Sequence, residues 1–419
     1  MEITFRCCAG VDVHKKFVTV TARVIDEQGT LRLERRRFGT MLADLEALAA
    51  WLVSLGVTHV AMESTGVYWK PIYNVLAPHC AGWVVNASHL AQVPGRKTDV
   101  SDADWIAQLM QYGLLERSFI PGEEQRDLRD LTRYRTRLVG ERSAEINRLQ
   151  KILEDANLKL ASVASDVRGA SSQAMLHALL AGSNDPATLA QLAKGKLRDK
   201  LPELEAALTG RVREHHRYML GEILAHIDEL DRRIVALDEH IQSRTQPHQA
   251  LIERLDAIPG VDRRTAEVLL AEVGTNVTAF PSAKHLAAWA CLCPGNNITG
   301  GKRRSGRTRR GQNWLRPALV EAAWAASRTK TYLGAQYWRL RSRRGEKRAA
   351  VAVAHSILTI VYHLLSKPEA VFADLGGDFF LKRDAEQEQR RAVRKLEALG
   401  FGVTLINRAV AASAAAAAG

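Results

Sequence analysis

Residues 9–24 read Ala-Gly-Val-Asp-Val-His-Lys-Lys-Phe-Val-Thr-Val-Thr-Ala-Arg-Val. The first five are a short apolar run interrupted by one acid. Phe17 to Val24 then alternates apolar and polar side chains, the period of a half-buried strand. A third candidate strand, Leu31 to Phe38, is half arginine. Working outward, Leu45, Leu48, Leu52 and Leu55 recur at helical spacing within Leu42 to Leu55. A strand (Thr58 to Met62), an aromatic helix (Val67 to Leu76), a strand (Trp83 to Asn86) and a helix (Ser101 to Tyr112) follow.

Three strands, a helix, then strand–helix–strand–helix predict an α/β domain with a mixed sheet over residues 1–122, an order compatible with a ribonuclease-H-like layout. Strand signals then vanish. Leu220, Ile223, Ile227, Leu230, Ile234, Leu237 and Ile241 step by three and four, a heptad seam over three heptads, and Ile146, Leu149 and Leu153 keep the same rhythm upstream. Residues 123–250 therefore read as a coiled-coil region of two long helices that pair within one chain or between chains, as a rigid spacer or as a dimerisation arm. Residues 251–380 form a helical unit. In it, Leu255 to Gly274 reads as helix, Pro259–Gly260 turn, helix, like a helix–hairpin–helix; such a turn brings backbone N–H groups to a helix start where phosphate can sit, and an ordinary helical turn is the alternative. Residues 381–419 are charged and then alanine-rich, which predicts a disordered tail.

Composition narrows the function. Among 419 residues, 59 lysines and arginines face 46 acids, giving +13. That excess points to a polyanion. No run of about 18 consecutive apolar residues predicts a membrane span, the first ten residues lack a signal peptide's apolar core, and the five cysteines form neither zinc-site spacing nor a disulfide framework. The expected setting is a reducing cytoplasm.

Four acids fall at predicted strand ends and loops: Asp12 in the first strand, Glu63 directly after the fourth, and Asp99 and Asp102 three apart on one face at a helix start. Carboxylates gathered in one place repel unless divalent cations neutralise them, and an all-oxygen set suits Mg²⁺ or Mn²⁺, which serve phosphodiester chemistry. Asp104 and Asp26 read as solvated. Lys302, Arg303, Arg304, Arg307, Arg309 and Arg310 stand among glycines and predict phosphate contact. Arg339 to Arg348 is a second basic cluster, and Trp314, Trp324 and Trp338 read as core. Arg126, Arg129, Arg133 and Arg137 share one face of the connecting helix and read as a cationic stripe for a nucleic-acid backbone. Just before the basic loop, Thr299 carries a hydroxyl that clustered arginines could help to attack a phosphodiester.

These motifs together resemble one family. Val-Asp-Val-His-Lys (11–15), Met-Glu-Ser-Thr-Gly-Val-Tyr-Trp (62–69) and Lys-Thr-Asp-Val-Ser-Asp-Ala (97–103) are similar to the acidic-tetrad, resolvase-like domain of a class of bacterial insertion-sequence transposases. Ile-Pro-Gly-Val (258–261), Leu-Cys-Pro-Gly-Asn-Asn (292–297) and Gly-Lys-Arg-Arg-Ser-Gly-Arg-Thr (301–308) resemble its C-terminal transposase domain. The resemblance implies a ribonuclease-H-like, RuvC-like domain with Asp12, Glu63, Asp99 and Asp102 as metal ligands. It further implies a serine nucleophile from the second domain, a coiled coil joining protomers, and a tetramer whose sites combine acids of one protomer with the hydroxyl of another. It also implies that a structured guide RNA chooses the DNA. At the family's serine position this chain has Thr299, with Ser305 as the second candidate. The expected activity is DNA transposition by transesterification in a dimer or tetramer. The rivals are a junction-type endonuclease using water, and a nucleic-acid-binding protein that has lost its chemistry.

Overall fold

The computed structural model describes residues 2–64, 66–86, 102–295, 297–308, 311, 314–405; within these, the side chains of residues 297–299, 303–305, 384 and 386–388 are not described. The chain divides into two compact units, Met1–Pro121 and Gly122–Gly419.

The first unit is a five-stranded mixed sheet with helices on both faces. Strands β1 (Cys7–Val13), β2 (Phe17–Ile25), β3 (Leu31–Gly39), β4 (His59–Glu63) and β5 (Ala81–Val85) are ordered β3-β2-β1-β4-β5. β1–β2 and β2–β3 are antiparallel, while β1–β4 and β4–β5 are parallel. The alternation of β1 decides its two faces. Ala9, Val11 and Val13 join Val60 and Met62 of β4 in a core with Leu45, Leu48 and Leu52 of α1 (Leu42–Ser54) and Ile72 and Leu76 of α2 (Trp69–Leu76). On the opposite face, Cys8, Ala61 and Val85 pack with Trp105, Ile106, Leu109 and Met110 of α3 (Asp102–Gln111).

Gly10 explains how closely α3 approaches. A Cβ at Gly10 would collide with Ala103 O and Ala107 N, so the helix lies directly against bare backbone. β3 is an edge strand, and its arginines have specific seats: Arg36 lies over the Trp51 ring at 5.0 Å and Arg37 over Phe17 at 3.4 Å. Charge along an exposed edge also discourages pairing with another chain.

In the second unit, α4 (Glu123–Asp155) and α5 (Glu214–Thr245) pack antiparallel. The ion pairs Arg135–Asp238 and Arg142–Asp231 (2.9 Å) run in opposite sequence directions, which fixes that orientation. Leu138, Leu230 and Ile234 form the middle of the interface. Toward the other end, Leu149, Leu153, Leu220, Ile223 and Ile227 are covered by the short helices between Leu160 and Leu208, through Met175, Leu176, Leu204 and Leu208. The heptad seam is thus filled by the chain's own side chains.

The remaining helices are α6 (Gln249–Asp256), α7 (Arg263–Val273), α8 (Ala283–Trp289), α9 (Leu315–Ala326), α10 (Tyr332–Arg344), α11 (Glu346–Ser366) and α12 (Phe379–Ala398). Helix α11 is long and apolar enough to cross a membrane by length and composition, and half of that window is buried inside the protein. Its Ala349, Val353, Ile357, Leu358 and Val361 are fully covered, as expected of a core helix. Helix α12 corrects the disordered-tail expectation for residues 381–398. Phe380 stacks on Tyr332 at 5.1 Å, and Asp378 pairs with Lys382 at 2.5 Å, so aromatic packing fixes the start of a segment whose composition reads as solvated.

Candidate nucleic-acid-processing site

Asp12 and Glu63 occupy neighbouring strands at the same level. The parallel register pairs Gly10 with Ala61 and Val11 with Met62, so one further step brings Asp12 beside Glu63. Asp12 follows Cys8 and Gly10 onto the face covered by α3, and Glu63 follows Ala61 onto the same face. Helix α3 runs antiparallel to β1: Cys8 lies near Ala107, and Gly10 near Ala103 and Ala107. Two residues along the strand cover about the same distance as one helical turn. The next step therefore carries Asp12 to the first turn of α3, where Asp102 is the first residue. Asp102 also stands one turn before Ile106, which packs with Ala61 two residues before Glu63.

Three of the four expected acids thus mark the same end of one sheet face. Asp99 lies outside the described residues. Among the described residues, no three His, Cys, Asp or Glu side chains converge closely enough to form a metal cluster. The donor set at this end consists of carboxylate oxygens, the chemistry that suits a hard divalent cation. Sequence reasoning passed over a neighbour: His14 Nε2 is 3.0 Å from Asp12 Oδ2, and its ring packs on Phe17 at 4.4 Å.

Asp104 corrects an expectation. It is buried, accepts hydrogen bonds from Thr21 of β2 and Arg35 Nε of β3 (2.9 Å for the latter), and ties α3 across the antiparallel half of the sheet. Burial opposes its ionisation, yet the bonds from Arg35 and Thr21 and the charges of Arg35 and Arg23 outweigh it and hold the carboxyl below its ordinary range. Asp26 behaves as expected of an exposed turn residue, accepting from Gln28 N and Thr30 N.

In the second unit the glycine-rich stretch before and within the basic run is a β-hairpin. β6 (Asn297–Thr299) pairs antiparallel with β7 (Lys302–Ser305), with Thr299 opposite Lys302 and Asn297 opposite Ser305. The two residues at the bend, Gly300 (φ +56°) and Gly301 (φ +74°), are both left-handed, the combination a tight hairpin turn demands. A bridge between Pro294 and Thr308 and the bond Gly295 N→Arg307 O (2.8 Å) close the base. The backbone places Thr299 immediately before the bend and Ser305 at the far end of β7. Lys302 and Arg307 are exposed. Arg309 and Arg310 lie outside the described residues, as do the side chains of Arg303 and Arg304.

Two arginines of the α4 stripe, Arg129 and Arg133, are committed to the protein itself. Arg129 is buried, donates to Ala271 O (2.9 Å) and Glu272 O (2.5 Å), and burial pushes its guanidinium down to about 10. Arg133 makes a two-pronged pair with the fully buried Glu272 (2.7 and 2.9 Å), and Arg137 lies over the Trp314 ring at 5.4 Å. These residues fasten α4 to α7 and to the start of α9. Arg126 is half-buried on the same helix. A cavity of about 560 Å³ beside them is lined by Arg133, Arg135 and Arg264, each paired with an acid of the chain. The Pro259–Gly260 turn likewise serves packing. A Cβ at Gly260 (φ +87°) would collide with Ala322 O of α9, and the Asp262 carboxylate caps α7 through Thr265 N (2.8 Å). An anion already holds that helix start, so it offers phosphate little.

Comparison with known proteins finds one match that runs from the first unit through α4 and a second within the helical unit. Residues 9–158 match the sequence model of an acidic-tetrad transposase domain described as "Transposase", and residues 252–339 match that of the "Transposase IS116/IS110/IS902 family". A probable family 20 transposase of Pseudomonas aeruginosa is 28% identical over 74% of this chain and 84% of its own length. The transposase for insertion sequence element IS1111A of Coxiella burnetii is 28% identical over 86% of this chain and 90% of its own. The IS110 43.6 kDa protein of Streptomyces coelicolor is 32% identical over 31% of this chain.

Proposed function

The chain belongs to the IS116/IS110/IS902 family of insertion-sequence transposases and is a DNA transposase; from that premise we propose that its two halves divide one transesterification between them. Asp12, Glu63, Asp99 and Asp102 of residues 1–122 hold Mg²⁺ or Mn²⁺ and seat the scissile phosphate. The observation that carries this is the shared level of Asp12 and Glu63 on the face against which α3 begins. The strand order, with an antiparallel β1–β3 half and a parallel β4–β5 half, supports a ribonuclease-H-like fold for this unit. Such an ion supplies charge neutralisation at the phosphate.

Thr299 then acts as the nucleophile. Its Oγ forms a bond to phosphorus, the bond from phosphorus to the leaving deoxyribose oxygen breaks, and the hydroxyl proton ends on that oxygen. Lys302, Arg303, Arg304, Arg307, Arg309 and Arg310 stabilise the negative charge and hold the backbone. Rejoining is the same exchange reversed, so no nucleotide hydrolysis is needed. Residues 123–250 form the arm and 251–380 the nucleophile unit. The arm joins copies into a dimer or tetramer, and a structured guide RNA selects the DNA; both rest on the resemblance of the motifs.

A suicide DNA substrate carrying a nick tests the reading. The full chain with Mg²⁺ gives a protein–DNA adduct on a denaturing gel. Asp12→Asn and Thr299→Ala each abolish it, and Thr299→Ser retains or raises it. Free ends without adduct would instead identify a water-using nuclease. An adduct surviving in Thr299→Ala but lost in Ser305→Ala would move the nucleophile to Ser305.

A further inference from the structure

The loop after α9, the second half of α10 and the start of α11 carry cations that neither the core nor the hairpin uses. Between Ser327 and Arg348 the chain has eight lysines and arginines against one acid, Glu346. That acid is engaged by Arg341 at 2.5 Å. Arg328, Lys330, Arg343, Arg344, Lys347 and Arg348 are exposed and have no ion-pair partner among the described residues. Such a concentration of uncompensated positive charge is self-repelling unless a polyanion covers it.

Two indoles stand within this field. Trp324 is 46% exposed and Trp338 53% exposed, although tryptophan at helical spacing reads as core. The placement of Trp338 is fixed rather than incidental. Trp338 Nε1 donates to Ser327 O at 2.9 Å, three residues after Trp324, and Arg341 lies over the Trp338 ring at 4.7 Å. The indole's one donor is therefore already satisfied, and its ring is held in place. What remains exposed is apolar π-surface beside cations. Duplex DNA keeps its bases stacked inside and offers such a ring nothing. A strand with unpaired bases offers both a π-face and a phosphate every nucleotide.

We infer that this surface binds an unpaired DNA strand, with bases stacking on Trp324 and Trp338 and phosphates on the arginines of α10 and α11. From Trp338 to Arg344 is about 9 Å along the helix axis, a little more than one nucleotide's reach. The inference rests on the reading of the chain as DNA-acting, because strand exchange must leave DNA transiently unpaired. The geometry favours DNA over a protein partner because the cations outnumber the acids eightfold.

The test uses the full-length protein in EDTA, so that cleavage plays no part, with labelled oligothymidine of about twenty nucleotides, a duplex of equal length and oligouridine. Binding is read by anisotropy and by indole fluorescence. Oligothymidine should quench the indoles. Trp324→Ala/Trp338→Ala should weaken its binding by about a hundredfold, roughly tenfold per lost stack, while duplex binding stays within about twofold. Trp338→Phe, which keeps an aromatic face, should retain most of the affinity and guards against misfolding of the alanine variant. Arg343→Ala/Arg344→Ala/Arg348→Ala should flatten the salt dependence, lowering the slope of log affinity against log salt by about two. Equal losses for single strand and duplex, an unchanged affinity in the double tryptophan variant, or a preference above tenfold for oligouridine each overturn the assignment. Normal duplex binding with no oligothymidine binding overturns this inference alone, whereas failure to bind any DNA counts against the transposase chemistry itself.

Discussion

His14 Nε2 lies 3.0 Å from Asp12 Oδ2, at the start of the turn that His14 N closes onto Phe17 O. A carboxylate held by a ring nitrogen keeps one orientation at the strand end, as partners of metal-binding carboxylates do. His14→Ala should therefore cut Mg²⁺-dependent strand cleavage by about tenfold to a hundredfold and raise the Mg²⁺ concentration needed for half-maximal rate. His14→Gln, which keeps a donor, should recover part of it. A variant with unaltered rate and unaltered Mg²⁺ dependence would show that His14 does not position Asp12.

Gly10 lets α3 rest on β1, and α3 carries Asp102. Gly10→Val overfills that contact and should cost about 1–3 kcal/mol of stability in the first unit, read by urea unfolding. Cleavage should fall further than stability does, since the helix start moves away from Asp12. Activity per folded molecule equal to wild type would refute the link.

Asp104 supplies a pH signature. Its carboxyl titrates below the ordinary value in the folded chain, because the partners Arg35 and Thr21 outweigh burial. The stabilisation is thus fully present above about pH 3.9, the unfolded value, and drains away as pH falls through the lower folded value. Arg35 is largely exposed, which screens the pair, so Asp104→Asn should cost only about 1 kcal/mol at pH 7. Unfolding measured from pH 7 down to pH 3 should show a shallower acid decline in the variant. Parallel curves would contradict the assignment.

Arg129 and Glu272 are buried and mutually neutralising at the junction of α4 with α7. Removing Glu272 takes the acid from both Arg129 and Arg133 and should cost about 3–5 kcal/mol, whereas Arg129→Ala leaves Glu272 paired with Arg133 and should cost less. DNA affinity per folded molecule should be unchanged in Arg129→Ala, in contrast to Arg307→Ala on the hairpin, which should weaken binding and reduce its salt dependence. A clear loss of DNA affinity in folded Arg129→Ala would restore the stripe to the nucleic-acid surface.

What the sequence reveals follows the range of the forces involved. β2 and α1 are legible because their periodicity is local: Phe17 to Val24 alternates, and Leu45, Leu48 and Leu52 recur along one face. Placing Asp12 beside Glu63 needs only the end of each strand and a parallel register. Asp104 reads as solvated from the sequence because its partners Thr21 and Arg35 are 83 and 69 residues away, and no spacing rule couples them. Arg129 and Arg133 of the α4 stripe are misread for the same reason. From the sequence Arg133 looks like one of four regularly spaced cations, and only the fold brings Glu272, 139 residues on, into its grip. The Gly300–Gly301 pair was visible but its meaning was not, since a loop and a tight hairpin share those letters.

That hairpin has an evolutionary consequence. Two left-handed glycines set the bend without help from the residue before them, so position 299 keeps its backbone address whichever side chain it carries. Under the role proposed for Thr299, exchanging one alcohol for another there alters reactivity while sparing architecture. A lineage could drift between brisk and sluggish mobility at this single codon, tuning how often the element jumps without rebuilding the enzyme.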